Sequence, residues 1–293
     1  MKILKAEHRG MCFGVRDAIA LAKQQSEPGG VTVLGELAHN RDVVDDLSRR
    51  GVRFERRAED VETKDVMITA HGAAEREIER IRALGLNVIE ATCPLVRYAH
   101  DSVRSLAEEG YHPVIVGKRD HVEVRGLTGD LDAFDVVLSR EDIAKLAPHA
   151  RFGVAAQTTQ PLVKVEALVE EIRRRFPASE VKFVDTVCGP TKQRQVAAVE
   201  VAREADAVVV IGGANSNNTR ELVEVCGRHC ERVHHVQRAG DLRESWFEGV
   251  ESVGVTAGTS TPDETIAEVE TWLADLEKRR ARIAASLTTV GVA

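Results

Sequence analysis

Three cysteines, Cys12, Cys93 and Cys188, are spread through this 293-residue chain, each followed at a near-constant distance by a polar motif. His39 lies 27 residues after Cys12, His121 lies 28 after Cys93, and Ser216 lies 28 after Cys188. A second polar position follows in each third, at His71, Thr158 and Ser260. Thiolates are the usual ligands of iron–sulfur clusters, four to a cluster. Three would leave one iron open to a substrate, so the set is a candidate catalytic metal centre. Cys12 stands in the glycine-flanked stretch Arg9-Gly10-Met11-Cys12-Phe13-Gly14, Cys93 precedes Pro94, and Cys188 precedes Gly189-Pro190, settings that let backbone approach a bulky inorganic group. Any one cysteine alone reads as a small buried hydrophobe; the equivalence of the three favours ligands. Cys226 and Cys230 stand at helical spacing, where packing is the better reading, and a zinc site built on them lacks a second pair.

His39, His71 and His121, with Thr158, Ser216, Asn218 and Ser260, offer imidazole, hydroxyl and amide donors. Together with helix N-terminal N–H groups they suit a diphosphate without a Walker-type loop. Each histidine alone is more often structural, and the run Asn215-Ser216-Asn217-Asn218-Thr219 reads equally as the N-cap of a helix starting near Arg220. Glu123, two residues after His121, is a candidate acid; its bland reading is a solvated carboxylate. Gly212-Gly213 and Gly258 do not form a G-x-G-x-x-G fingerprint, so no bound NAD is expected.

The elements that must position these residues alternate. Apolar, β-branched runs at 31–34, 66–69, 88–89, 114–116, 136–138, 181–184, 208–211 and 252–255 read as strands. Helical patterns at 41–50, 74–84 and 95–109 are stopped by Gly51, Gly85 and Gly110, where C-caps belong. A last helix over 261–278 starts at Pro262 with Asp263 and Glu264 beside it, and the chain after Arg282 is expected to fray. Strand–helix alternation with short connections predicts an α/β protein with parallel sheets. Its polar motifs follow strand ends, where such sheets bind ligands. The equal spacing predicts three similar small α/β units, 1–92, 93–187 and 188–293, each giving one cysteine and two polar strand ends to a common centre. Chance is the alternative, because βα units have similar lengths.

Composition narrows the class. With 43% hydrophobic and 30% charged residues the chain can build a compact core. A net charge of −7 and 4% aromatic residues argue against nucleic-acid binding. Met1-Lys2-Ile3-Leu4-Lys5 runs straight into Glu7-His8-Arg9, without the apolar core of a secretory signal, and the longest apolar runs are strand-length. A cytoplasmic protein without a membrane partner is expected, and in that reducing compartment five cysteines read as ligands or core residues rather than disulfides.

At these residues the sequence resembles the 4-hydroxy-3-methylbut-2-enyl diphosphate reductase (IspH/LytB) family of the non-mevalonate isoprenoid pathway. The resemblance runs from about Lys5 to Ile266, through the Cys12 stretch, Gly35-Glu36-Leu37-Ala38-His39-Asn40, Ala70-His71-Gly72, Ala91-Thr92-Cys93-Pro94-Leu95-Val96, His121-Val122-Glu123-Val124, Gln157-Thr158-Thr159, Asp185-Thr186-Val187-Cys188 with Arg194-Gln195, Asn215-Ser216-Asn217-Asn218, and Val255-Thr256-Ala257-Gly258-Thr259-Ser260-Thr261-Pro262-Asp263. It implies a trefoil of three α/β domains around a central [4Fe–4S] cluster held by Cys12, Cys93 and Cys188. It further implies substrate contacts, chiefly to the diphosphate, from His39, His71, His121, Thr158, Ser216, Asn217, Asn218 and Ser260, and a place for Glu123 in proton delivery. The implied reaction converts (E)-4-hydroxy-3-methylbut-2-enyl diphosphate to isopentenyl and dimethylallyl diphosphate, with reduced ferredoxin or flavodoxin as donor. Three departures bear on substrate detail: Asn217 where a second serine is common, Lys118-Arg119-Asp120 in place of a turn with glycine and histidine, and Val122 where proline is frequent. Two further readings stand beside this one, a paralogue acting on another small allylic diphosphate and a non-catalytic cluster-based redox sensor.

Overall fold

The computed structural model of the protein describes residues 1–26 and 30–290. The chain opens with strand β1 (Lys2–Lys5) and helix α1 (Phe13–Gln25). A first run of elements follows: β2 (Val31–Leu34), α2 (Arg41–Arg49), β3 (Arg53–Glu55), β4 (Asp65–Ile68), α3 (Glu75–Ala83) and β5 (Asn87–Glu90). A second comprises α4 (Pro94–Glu108), β6 (His112–Val116), α5 (Val122–Thr128), β7 (Asp135–Val137), α6 (Arg140–Ile143), β8 (Arg151–Ala156), α7 (Leu162–Arg175) and β9 (Glu180–Phe183). The third is α8 (Gly189–Glu204), β10 (Ala207–Ile211), α9 (Asn217–Gly227), β11 (Val233–Val236), β12 (Ser252–Ala257) and α10 (Asp263–Val290).

These strands form three four-stranded, wholly parallel sheets, ordered β3-β2-β4-β5, β7-β6-β8-β9 and β1-β12-β10-β11. The same topology occurs each time: the second strand of a run lies outside the first, and the third and fourth follow on the other side. In the third sheet the fourth place is taken by β1, paired with β12 from Lys2 against Ser252 to Lys5 against Val255. The expected division at 92 and 187 puts residues 2–5 in the first unit; hydrogen bonding puts them in the third. The repeat is therefore permuted, and each of Cys12, Cys93 and Cys188 follows the fourth strand of a sheet. By contact density the chain forms two compact units, Met1–Met11 with Gln193–Ala293, and Cys12–Lys192.

Both faces of the sheets are covered, which is why the strands read as continuous apolar runs rather than alternating ones. In the second sheet Val114, Val116, Val154 and Ala156 pack with Val165, Leu168, Val169 and Ile172 of α7. Ile115 and Ala155 face the other way, onto Ala99, Val103 and Leu106 of α4 and Val124 and Leu127 of α5. Burial of each such Val, Leu or Ile contributes about 1.5–3 kcal/mol. In the third sheet Val208 and Val210 pack against Ala198, Ala202, Leu222, Cys226 and Cys230. Cys226 and Cys230 are core residues, as their helical spacing predicts.

Four strands lack a readable sequence signal. β3 is the short edge segment Arg-Phe-Glu, β11 carries His234 and His235, and β1 needs β12 from the far end of the chain. β8 is interrupted by Gly153, which weakens a strand pattern. A Cβ there would lie 2.9 Å from the Tyr111 Cβ and 3.0 Å from the Leu106 Cβ, so close packing of α4 on the sheet requires the glycine. At the other end, α10 continues past Arg282 as helix to Val290; residues 291–293 lie outside the described region. No described helix is long and apolar enough to cross a membrane.

Candidate active site

Each cysteine of the set begins a helix. Cys12 and Cys93 are the N-cap residues of α1 and α4, and neither side chain caps its own helix; Cys188 directly precedes α8. The unpaired N–H groups of a helix start favour a thiolate. Desolvation works the other way. Burial pushes the Cys93 thiol up, opposed by the Leu95 and Val96 N–H groups, with Cys12 and Glu123 adding to the rise. Burial also pushes Cys188 up to about 11, opposed by the Thr191 hydroxyl and N–H, with Glu123 and Cys12 again adding. The Cys188 thiol donates to Thr191 Oγ1 at 3.1 Å. Three partly exposed thiols and a carboxyl that feel one another's charge form a donor set that a cationic iron centre would balance. Gly14 keeps space beside it, because a Cβ there would lie 2.6 Å from Cys93 Sγ. The residues fit an iron–sulfur cluster.

Main-chain bonds tie these cysteines to the polar strand ends. The Cys93 N–H donates to the Ala70 carbonyl at 3.1 Å, beside His71, and the Cys188 N–H donates to the Thr158 carbonyl at 3.0 Å. In the permuted third repeat the Gly10 N–H donates to the Ala257 carbonyl at 3.1 Å, two residues before Cys12. Buried Arg194 fixes that same loop, its Nε and Nη2 donating to the Gly10 carbonyl at 2.9 and 2.7 Å.

His39, after β2, His71, after β4, and His121, the N-cap of α5, form a triangle with ring centroids 5.0, 5.5 and 5.6 Å apart. Desolvation, together with the other two imidazoles, holds His71 well below the usual histidine range, so it is neutral near pH 7. His121 Nδ1 accepts the Glu123 N–H at 3.2 Å, which leaves the proton of the neutral ring on Nε2. His39 Nδ1 meets Glu36 at 2.9 Å, and its buried Nε2 has no partner. Glu123 is 1% exposed and accepts the Thr158 N–H at 2.6 Å. Burial raises its carboxyl to about 7, against the lowering effect of the Thr158 N–H and hydroxyl.

The remaining predicted residues lie in the unit formed by 1–11 and 193–293. Ser216 is the N-cap of α9, its hydroxyl accepting the Thr219 N–H at 3.3 Å, and Asn217 and Asn218 are the buried first residues of that helix. The capping reading of this run therefore holds, with the helix starting three residues earlier than Arg220. Asn218 Oδ1 accepts the Thr259 N–H at 3.0 Å, which brings the turn carrying Ser260 to the helix start. Gly258 permits this approach, since a Cβ there would meet Thr219 Oγ1 at 2.1 Å. Asn218 Nδ2 and Ser260 Oγ are buried without partners. Buried donors left open in this way cost about 1–3 kcal/mol each, and an anion would satisfy them.

One residue near the site is absent from the sequence reading. His100 is seven residues after Cys93 on α4, with its Nε2 buried and unpartnered. It sits against both the His71-Gly72 turn and α5: a Cβ on Gly72 would lie 2.9 Å from its Nε2, and one on Gly126 3.3 Å from its Cε1. The available signal was a polar residue on the apolar stripe of Val96, Ala99, Val103 and Leu106.

Known proteins are similar to this chain in sequence and fold. It is 38% identical over 281 residues to the 4-hydroxy-3-methylbut-2-enyl diphosphate reductase of Pelobacter propionicus, covering 95% of this chain and 100% of that protein. It is 39% identical over 280 residues to the protein of the same name from Aquifex aeolicus, covering 94% and 96%. The solved Plasmodium falciparum E-1-hydroxy-2-methyl-but-2-enyl-4-diphosphate reductase superposes with a TM-score of 0.86 at 26% identity, covering 92% of this chain and 87% of its own. A structure of (E)-4-hydroxy-3-methyl-but-2-enyl diphosphate reductase, described as the terminal enzyme of the non-mevalonate pathway, gives a TM-score of 0.66 at 37% identity, covering 94% and 100%. Residues 3–274 match the LytB protein family, and with relatives this similar over nearly its whole length the chain belongs to that family.

Proposed function

We propose that the chain is a 4-hydroxy-3-methylbut-2-enyl diphosphate reductase, the last enzyme of the non-mevalonate route to isoprenoids. The observation that carries the reading is the buried Glu123 carboxyl, raised to about 7 among three helix-start thiols and an imidazole triangle, in a chain related to reductases of that name. The reaction breaks one C–O bond and takes up two electrons and two protons; one proton leaves with the hydroxyl as water and the other ends on carbon, giving isopentenyl or dimethylallyl diphosphate. Cys12, Cys93 and Cys188 would hold a [4Fe–4S] cluster, which when bound supplies the electrons and a Lewis-acid contact for the hydroxyl. Glu123 holds the proton for the departing hydroxyl, and Thr158 fixes its carboxyl. The imidazoles of His39, His71 and His121, and the donors of Ser216, Asn217, Asn218 and Ser260, bind and orient the diphosphate. Reduced ferredoxin or flavodoxin is the electron donor in this reading, and the location is cytoplasmic.

The test is anaerobic purification with iron and sulfide analysis, followed by turnover with the allylic diphosphate under dithionite. A brown protein with about four irons per chain that forms both products is expected. A colourless protein, or a brown one without turnover, overturns the assignment.

A further inference from the structure

The second sheet also presents a side-chain cluster that the reductase chemistry does not use. It lies at the amino ends of the strands, opposite the polar strand ends. His112 is the first residue of β6, Asp135 is the first of β7, and His149 is two residues before β8. His112 Nε2 is 2.9 Å from an Asp135 carboxylate oxygen. The His149 ring stacks on the His112 ring with centroids 3.8 Å apart and planes 5° from parallel. One donor atom from each residue lies within 4.8 Å of the other two. We propose that His112, Asp135 and His149 form a binding site for one divalent transition ion of the zinc type, separate from the active site.

The donor set decides the class of ion. Two imidazoles and one carboxylate suit borderline ions such as Zn²⁺ or Co²⁺, whereas Mg²⁺ and Ca²⁺ require mostly oxygen. The 2.9 Å between His112 and Asp135 is a hydrogen bond, and two tetrahedral ligands at about 2.0–2.1 Å from one ion stand roughly 3.3 Å apart, so a small opening of this pair admits the ion. A His–Asp hydrogen bond accounts for only two of the three groups. His149 supplies the third, with a donor atom within 4.8 Å of the other two, and its main chain is anchored by the Ser179 hydroxyl, which donates to its carbonyl at 2.6 Å. Fully buried Phe152 forms a dry wall, edge-on to His149 at 5.5 Å and to His112 at 6.2 Å. On the open side a cavity of about 870 Å³ reaches both histidines, with room for water as a further ligand. The nearby Arg151 does not oppose an ion there, because its guanidinium lies over the Tyr111 ring and is paired with Glu180 at 3.0 Å.

The experiment uses cluster-loaded holoenzyme under anaerobic conditions, stripped of loose metal with a chelator and titrated with Zn²⁺ by calorimetry, beside His149→Gln and Asp135→Asn. Wild type is expected to bind one more equivalent of zinc than either variant, or to bind that equivalent at least tenfold more tightly, while reductase kcat is the same in all three. Co²⁺ should give visible bands in wild type that are lost or weakened in both variants, leaving only any contribution of the His39, His71 and His121 triangle. Equal zinc stoichiometry and affinity in wild type and both variants would overturn the proposal, as would no zinc uptake by wild type. If His149→Gln misfolds, Asp135→Asn decides alone. The comparison does not depend on turnover, so it stands whether or not the reductase reading does.

Discussion

Thr158 joins Glu123 to Cys188: its N–H donates to Glu123 Oε1 at 2.6 Å, while its carbonyl accepts the Cys188 N–H at 3.0 Å. One residue thus fixes both the candidate acid and the backbone of a candidate cluster ligand. Glu123→Gln keeps the size and the acceptor for Thr158 but cannot give up a proton. It should retain the cluster and bind substrate, with kcat lowered about 10²–10⁴-fold. Steady-state assays with excess reductant and an absorption spectrum of the cluster check this; a near-normal kcat with an intact cluster would remove Glu123 from proton delivery.

The raised carboxyl sets a pH dependence. With a folded value of about 7, Glu123 loses its proton as pH climbs through that range, so kcat should fall there. Stability follows the same sign. The folded state holds this proton more tightly than the unfolded chain, whose reference value is 4.5, so the contribution is complete below 4.5 and is lost as pH rises to about 7. The loss is on the order of 3 kcal/mol. Glu123→Gln should flatten both limbs, and a wild-type-like pH–kcat profile in that variant would assign the limb to another group.

Replacing Cys12, Cys93 or Cys188 by serine should in each case abolish stable cluster binding, since each thiol begins a different helix and the remaining cysteines, Cys226 and Cys230, are packed in the core of the third sheet. Cys226→Ala should leave iron content unchanged, because that thiol is packed among Ala198, Val208 and Leu222. Iron and sulfide per chain decide; equal loss from both sets would contradict the ligand assignment.

Gly14→Ala tests the space beside Cys93. The added methyl, 2.6 Å from Sγ, must displace the thiol or α1, since neither partner is the far end of a flexible chain. Cluster occupancy should drop severalfold while the far-ultraviolet circular dichroism of the helices persists. Full occupancy would mean that α1 shifts without disturbing the site.

Ser260→Ala removes a buried hydroxyl that has no partner in the protein, so thermal stability should hold or rise slightly. If that hydroxyl donates to the diphosphate, KM should rise roughly tenfold or more with kcat little changed. An unchanged KM would exclude Ser260 from substrate binding.

How much of this was legible in the sequence depends on how local the cause is. The α/β class follows from apolar runs alternating with amphipathic segments, and the C-caps follow from Gly51, Gly85 and Gly110, all at positive φ in the structure. Cys12, Cys93 and Cys188 stood out because the repeat places a cysteine after every fourth strand, and that periodicity survives divergence of the side chains around it. Tertiary structure alone decided what depends on pairing between distant segments. β1 joins β12 across the length of the chain, so the repeat is permuted, and β8 carries a glycine that only the approach of α4 explains. The chemistry of Glu123 is of the same kind: a glutamate reads as a solvated carboxylate until burial removes the water that would ionise it, and that desolvation is a property of the assembled core. His100, and the meeting of His112, Asp135 and His149, likewise arise only when strands and helices far apart in sequence are packed edge to edge.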